Sequence, residues 1–150
     1  MTRKGVVLLV MGVLLAACGG DSPSAATGRP LEACGPLKVP PNTPATVSFR
    51  QDIAPLFSRY GCSSVDCHGG AFPQSNYDLS SYASLFSPGA EATRLNTCAV
   101  IPGNAQESYL IEKLEGRMTR GDRMPLGKEP LAPQDLQLLR TWVGEGAPDN

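Results

Sequence analysis

The sequence predicts a mainly α domain, small and built of short helices separated by long loops. Three observations carry this. Apolar residues recur at spacings of three and four in three separate segments, the period of a helical face. Fourteen Pro and sixteen Gly punctuate the chain, so no helix can run far. Aromatic residues make up only 6%, which limits the core that side chains alone can build.

The first 17 residues are read as targeting rather than fold. Arg3 and Lys4 form a positive start, and residues 6–17 are an unbroken apolar or small run. That run is too short to span a bilayer and about the length of a signal peptide's apolar region. It ends in Leu15-Ala16-Ala17-Cys18, followed by Gly19-Gly20. This resembles the lipobox of bacterial lipoproteins, in which the cysteine is lipidated and becomes the first residue after cleavage. An ordinary secretory signal with Cys18 incidental is the alternative. Lipid on Cys18 would hold the chain at a membrane surface without a spanning helix, in the bacterial cell envelope, extracytoplasmic, on the periplasmic or outer-membrane face.

Residues 18–45 read as a tether. Residues 19–30 are small and polar, then Pro36, Pro40, Pro41 and Pro44 stiffen the chain. Residues 46–150 are then the folded domain. The first helix comes from Phe49, Ile53, Leu56, Phe57 and Tyr60 on one face, with Ser48 as N-cap and Gly61 as terminator. Pro55 inside the pattern is expected to kink this helix or give it a late start. Residues 69–106 are mostly loop, with a short helix around 82–86. A second clear helix spans 104–116, with Tyr109, Leu110 and Leu114 apolar and Gly116 as terminator; Asn104 and Ser108 both qualify as its cap. The last helix runs over 133–143. Pro133 suits its first position, Asp135 complements the dipole, and Leu136, Leu139, Trp142 and Val143 form its face. The first and last helices are expected to pack together and close the domain.

Charge narrows the partners. Cleavage after residue 17 removes Arg3 and Lys4 from the 13 basic residues and none of the 14 acids, leaving a net charge of about −3. Nucleic acid and anionic membrane surfaces need basic clusters, so neither is expected as a partner.

The chemistry concentrates in Cys62-Ser63-Ser64-Val65-Asp66-Cys67-His68-Gly69, where His68 is the sole histidine of the chain. A cysteine pair closed by an adjacent histidine is the pattern of covalent haem attachment. Two thiols add to the vinyl groups, and the imidazole lies against the iron. Attachment usually uses two residues between the cysteines; here there are four. His68 is a natural proximal ligand through a neutral imidazole nitrogen. With no second histidine, bis-His ligation within one chain is excluded, and after signal cleavage only Met118 and Met124 remain as thioethers. Met124, in Arg123-Met124-Pro125, is favoured, and Met118 directly after the second helix is the reserve. His/Met ligation leaves no open position and suits electron transfer. Cys34 and Cys98 remain as an even pair and suggest a disulfide, with two unpaired thiols as the alternative.

From Ser48 to Ala147 the pieces stand in a familiar order. Residues 49–57, the loop 62–69, Leu79-Ser80-Ser81-Tyr82, Ile101-Pro102-Gly103-Asn104 with Ser108-Tyr109-Leu110, Arg123-Met124-Pro125, and residues 131–139 with 142–147 resemble the planctomycete-type cytochrome c domain, a single-haem class I relative. The resemblance covers about two-thirds of the chain. It implies a cytochrome-c-like fold around one covalent haem c. It implies Cys62 and Cys67 as attachment residues, His68 and Met124 as axial ligands, and a redox protein as partner. The wider cysteine spacing departs from the family.

Other readings compete. A haem-free interaction or structural module would close Cys62 to Cys67 as a disulfide and leave His68 at the surface. A zinc site could draw on Cys34, Cys62, Cys67, Cys98 and His68, but no second closely spaced pair exists. A hydrolase lacks a nucleophile elbow around any serine, and a peroxidase needs an iron position that Met124 would fill. The expectation is an electron-transfer protein rather than an enzyme.

Overall fold

A computed structural model describes residues 34–36 and 44–150. The signal segment 1–17, Cys18 and most of the tether lie outside the described residues. Within them the chain is mainly helical and contains no strand.

The chain enters the first helix through a π-helical turn, Phe49–Ile53, and continues as α1, Ala54–Arg59. Ser48 caps the entry, its side chain accepting from the Gln51 amide. Pro55 explains the two-part helix. It has no N–H to donate, so the regular ladder breaks there and the preceding turn is wound wide. The late start expected from Pro55 is therefore what the α segment shows. A 3-10 turn, Gln74–Asn76, and a second, Ala83–Phe86, follow in the long middle segment. A six-residue helix, α2 (Gly89–Arg94), also lies there, where the sequence led us to expect loop. Its helix formers Ala90, Glu91 and Ala92 are too few to generate a readable period.

The second predicted helix starts later than expected. Helix α3 is Tyr109–Glu115, and residues 104–107 are not part of it. Asn104 accepts from the Glu107 amide at 3.1 Å, which closes a local turn rather than a helical one. Ser108 is the residue before α3, but its hydroxyl serves the preceding loop instead. It accepts from the Ile101 amide at 2.8 Å and donates to the Asn104 carbonyl at 2.8 Å. Gly116 ends α3 with φ 72°, a left-handed value that costs glycine least. Helix α4 is Pro133–Gly144, one residue longer than expected.

The two ends of the domain close on each other. The Phe49 ring lies 5.8 Å from Trp142 and 5.2 Å from Tyr82. Leu139, Trp142 and Val143 are fully buried against Ile53, Leu56 and Phe57 in one core. Asp135 in the first turn of α4 accepts from the Tyr60 hydroxyl at 2.7 Å and pairs with Arg59 at 2.8 Å. The Glu145 carboxylate accepts from the amides of Thr46 and Val47, and Asn150 accepts from the amides of Phe49 and Arg50. Cys34 and Cys98 are joined by a disulfide, with Cα atoms 5.4 Å apart.

Candidate haem site

The end of α1 delivers the cysteine loop. Gly61 turns the chain with φ 69°, and the Cys62 amide bonds back to the Phe57 carbonyl at 2.8 Å. The four residues between the cysteines form a compact turn. Ser64 N–H donates to Gly61 O, Cys67 N–H to Ser64 O, and His68 N–H to Cys62 O at 2.9 Å. The turn folds back over Gly69, which is buried. A Cβ on Gly69 would stand 2.1 Å from the Ser63 carbonyl oxygen. Only glycine lets the wide loop close this tightly. The far side is tied down too: Gln74 N–H reaches Cys67 O and Leu79 N–H reaches His68 O, each at 2.7 Å.

His68 is oriented by the backbone. Its Nδ1 lies 3.1 Å from Gln74 O and 3.0 Å from Tyr77 O. A carbonyl oxygen can only accept, so Nδ1 carries the hydrogen, and in the neutral tautomer that this selects the Nε2 lone pair is the one left for a ligand. The Tyr77 ring meets the imidazole edge-on at 5.8 Å. Its hydroxyl donates to Leu85 O, and burial raises the phenol above its ordinary range, so it stays neutral.

Cys62 and Cys67 are half-buried and free. The disulfide that the haem-free reading requires is not formed. Burial, and secondarily the neighbouring Cys67, raise the Cys62 thiol to about 11.

The opposite loop carries Met124. Its amide donates to Lys113 O at 2.9 Å, and Lys113 Nζ donates to Asp122 O at 2.7 Å. Arg123 donates to Met124 O and Lys128 O, at 3.3 and 2.8 Å. Met124 packs on the edge of the core.

These two loops border a cleft of about 440 Å³, within the range of about 300–1,000 Å³ usual for ligand pockets. Cys62, Cys67, His68 and Met124 all line it, together with Phe57, Leu79, Leu110 and Leu114. Met118 is half-buried and lies outside the cleft wall. The donor set fits a covalently held haem: two thiols, an imidazole with a free Nε2 and a thioether, in a largely apolar cavity.

Sequence reading missed part of this wall. Lys113 and Lys128 line the cleft, and no motif in the sequence singled them out. The carbonyls of Gln74 and Tyr77 carry no side-chain signature that a sequence could reveal. The zinc reading loses two sulfurs to the Cys34–Cys98 disulfide. Among the described residues no group of three or more His, Cys, Asp and Glu is placed to hold a metal ion. No helix of the described residues is long and apolar enough to cross a membrane. No protein-family model, curated protein or solved structure matches the chain.

Proposed function

We propose that this chain is a lipid-anchored, extracytoplasmic, monohaem c-type cytochrome of the planctomycete type, a single-electron carrier rather than an enzyme. The observation that carries this reading is the convergence of Cys62, Cys67, His68 and Met124 on one apolar cleft. Cys62 and Cys67 would hold haem c by adding their S–H groups across its vinyl double bonds, forming two thioethers with no oxidant consumed. His68, through Nε2, and Met124, through its thioether, would be the residues that ligate the iron. When bound, haem supplies an iron that changes by one electron between its ferrous and ferric states.

The chain's own residues do the rest. Gln74 and Tyr77 hold the Nδ1 hydrogen of His68, which fixes the ring and makes Nε2 a better donor. A thioether at the other position raises the potential relative to two imidazoles. Phe57, Leu79, Leu110 and Leu114 keep water from the cleft interior, which lowers the cost of rearranging solvent when the charge changes. Lipid on Cys18 would keep the domain at the membrane, where a redox protein would exchange electrons with it.

The wide cysteine spacing favours one second reading, the haem-free module. The turn over Gly69 weighs against it, because four residues fit there with both thiols still on the cleft wall. The test is a redox titration of the full chain produced with a c-type maturation system. The proposal expects a reversible one-electron couple with haem absorbance. A purified chain without that absorbance would contradict it. Membrane fractionation tests the anchor: Cys18→Ser is expected to release the protein, and continued membrane retention would argue against lipidation.

A further inference from the structure

Left-handed backbone angles outside glycine are uncommon, and they persist where the surroundings hold them. Among the described residues four non-glycine residues have a positive φ, and two of these are adjacent, Ser75 at 56° and Asn76 at 52°. They stand between Gln74 and Tyr77, whose carbonyls meet His68 Nδ1 at 3.1 and 3.0 Å. The left-handed turn thus brings carbonyls three residues apart onto one nitrogen.

Tyr77 is held at three points. Its carbonyl accepts from His68 Nδ1, its hydroxyl donates to Leu85 O at 3.1 Å, and its Cβ lies against Gly89, the first residue of α2. A Cβ on Gly89 would stand 2.8 Å from Tyr77 Cβ and 3.2 Å from Ser75 O. Neither atom is the end of a flexible side chain, so relief would have to come from shifting the turn or α2. Gly89 is also buried with φ 64°, a value that suits glycine. Its own carbonyl accepts from the Thr93 hydroxyl at 2.6 Å, which ties it into α2.

We propose that Gly89 and the left-handed turn it seats are positioning residues for the iron ligand: the missing side chain lets α2 hold the turn so that both carbonyls stay on His68 Nδ1. The inference rests on the haem reading above. An Nδ1–H held by carbonyls makes Nε2 a stronger donor, which favours ferric iron and lowers the potential. Displacing the Tyr77 carbonyl therefore raises the potential while the ligand itself is unchanged.

The test uses the haem-loaded full chain with two readouts: the reduction potential, and the exchange of the His68 Nδ1 hydrogen with solvent followed by proton NMR. Gly89→Ala is expected to raise the potential and speed the exchange. Gly103→Ala is the control. Gly103 has φ 82° and nothing within 4 Å of a Cβ, so it carries the left-handed penalty without the collision and should move neither readout. Asn76 is exposed and lies outside the cleft wall, so it probes the turn without loss of packing. Asn76→Val disfavours the left-handed angle and is expected to move both readouts as Gly89→Ala does. Asn76→Gly accepts that angle freely and is expected to keep the wild-type values. Readouts unmoved in Gly89→Ala overturn the proposal, and so does an equal change in Gly103→Ala, which would mean general destabilisation. Where Gly89→Ala does not fold, the Asn76 pair decides, and equal values for Val and Gly overturn the proposal. A wild-type chain that takes up no haem overturns the haem reading itself and is told apart by its haem content.

Discussion

The two loops that face each other across the cleft are held by different forces. The cysteine loop is fixed by backbone: successive amide-to-carbonyl bonds run from Gly61 to Leu79, and two carbonyls grip the imidazole. The methionine loop is held largely by long side chains, Lys113 and Arg123, reaching its carbonyls. Backbone bonds add no rotamer entropy to what folding has already fixed, whereas Lys and Arg must give up rotamer freedom to hold a loop. The comparison teaches that the His68 side is the preorganised half of the site and the Met124 side the adjustable half.

The largest break of that contrast comes at its rigid half. His68→Ala is expected to abolish stable haem incorporation, measured as haem absorbance of the purified chain; a normal spectrum would sink the axial assignment. Next comes Gly69→Ala, whose Cβ would collide with the Ser63 carbonyl. Overpacking of this kind costs about 1–3 kcal/mol, read as a lowered melting temperature. Gly144→Ala, at a helical site with nothing within 4 Å, is the control and should be neutral or slightly stabilising. Equal melting of the two variants would refute the tight turn.

On the adjustable half, Met124→Ala should remove the weak sulfur-to-iron band from the oxidised spectrum while haem stays attached, and Met118→Ala should leave that band alone. The reverse pattern would make Met118 the ligand. Arg123→Ala should cost about 1 kcal/mol and make the band fade at lower temperature, without moving features that report on His68. An unchanged fading temperature would mean the loop does not depend on its side chains.

The smallest effect lies away from the cleft. Burial alone would raise the Glu145 carboxyl, but hydrogen bonds from Thr46 and Val47 outweigh it and hold the group below its ordinary range. A lowered folded pKa stabilises above the unfolded value of about 4.3 and loses that contribution as pH falls through the folded value. Exposure keeps the contribution under about 1 kcal/mol. Glu145→Gln should therefore lower stability at neutral pH and flatten the loss on acidification, followed by thermal melts across pH 3–7. An acid limb as steep as the wild type's would contradict this.

The same contrast governs what the sequence could reveal. Trp142, Val143 and Leu139 lay on one face at helical spacing, and the structure buries all three. Ser48, Pro55 and Gly116 act through local backbone chemistry, and each does in the structure what its residue type implies. Helix α2 was hidden because six residues hold too little periodicity, and the start of α3 because Asn104 closes a turn that imitates a cap. The four candidate ligands were legible as residue types. Their common wall was not, since it depends on Gly69 accepting the Ser63 carbonyl and on backbone carbonyls that turn the imidazole. That Lys113 and Tyr109 line the cleft became visible only once α3 was seen beside it.

The central claim is that Cys62, Cys67, His68 and Met124 hold a covalent haem. The most direct measurement is a pyridine haemochrome spectrum of the denatured, washed full-length chain, produced with a c-type maturation system. The account predicts covalent haem at one per chain. A haem-free chain, with the maturation system active on a control cytochrome, would contradict it and leave His68 and Met124 as ordinary residues of a helical module.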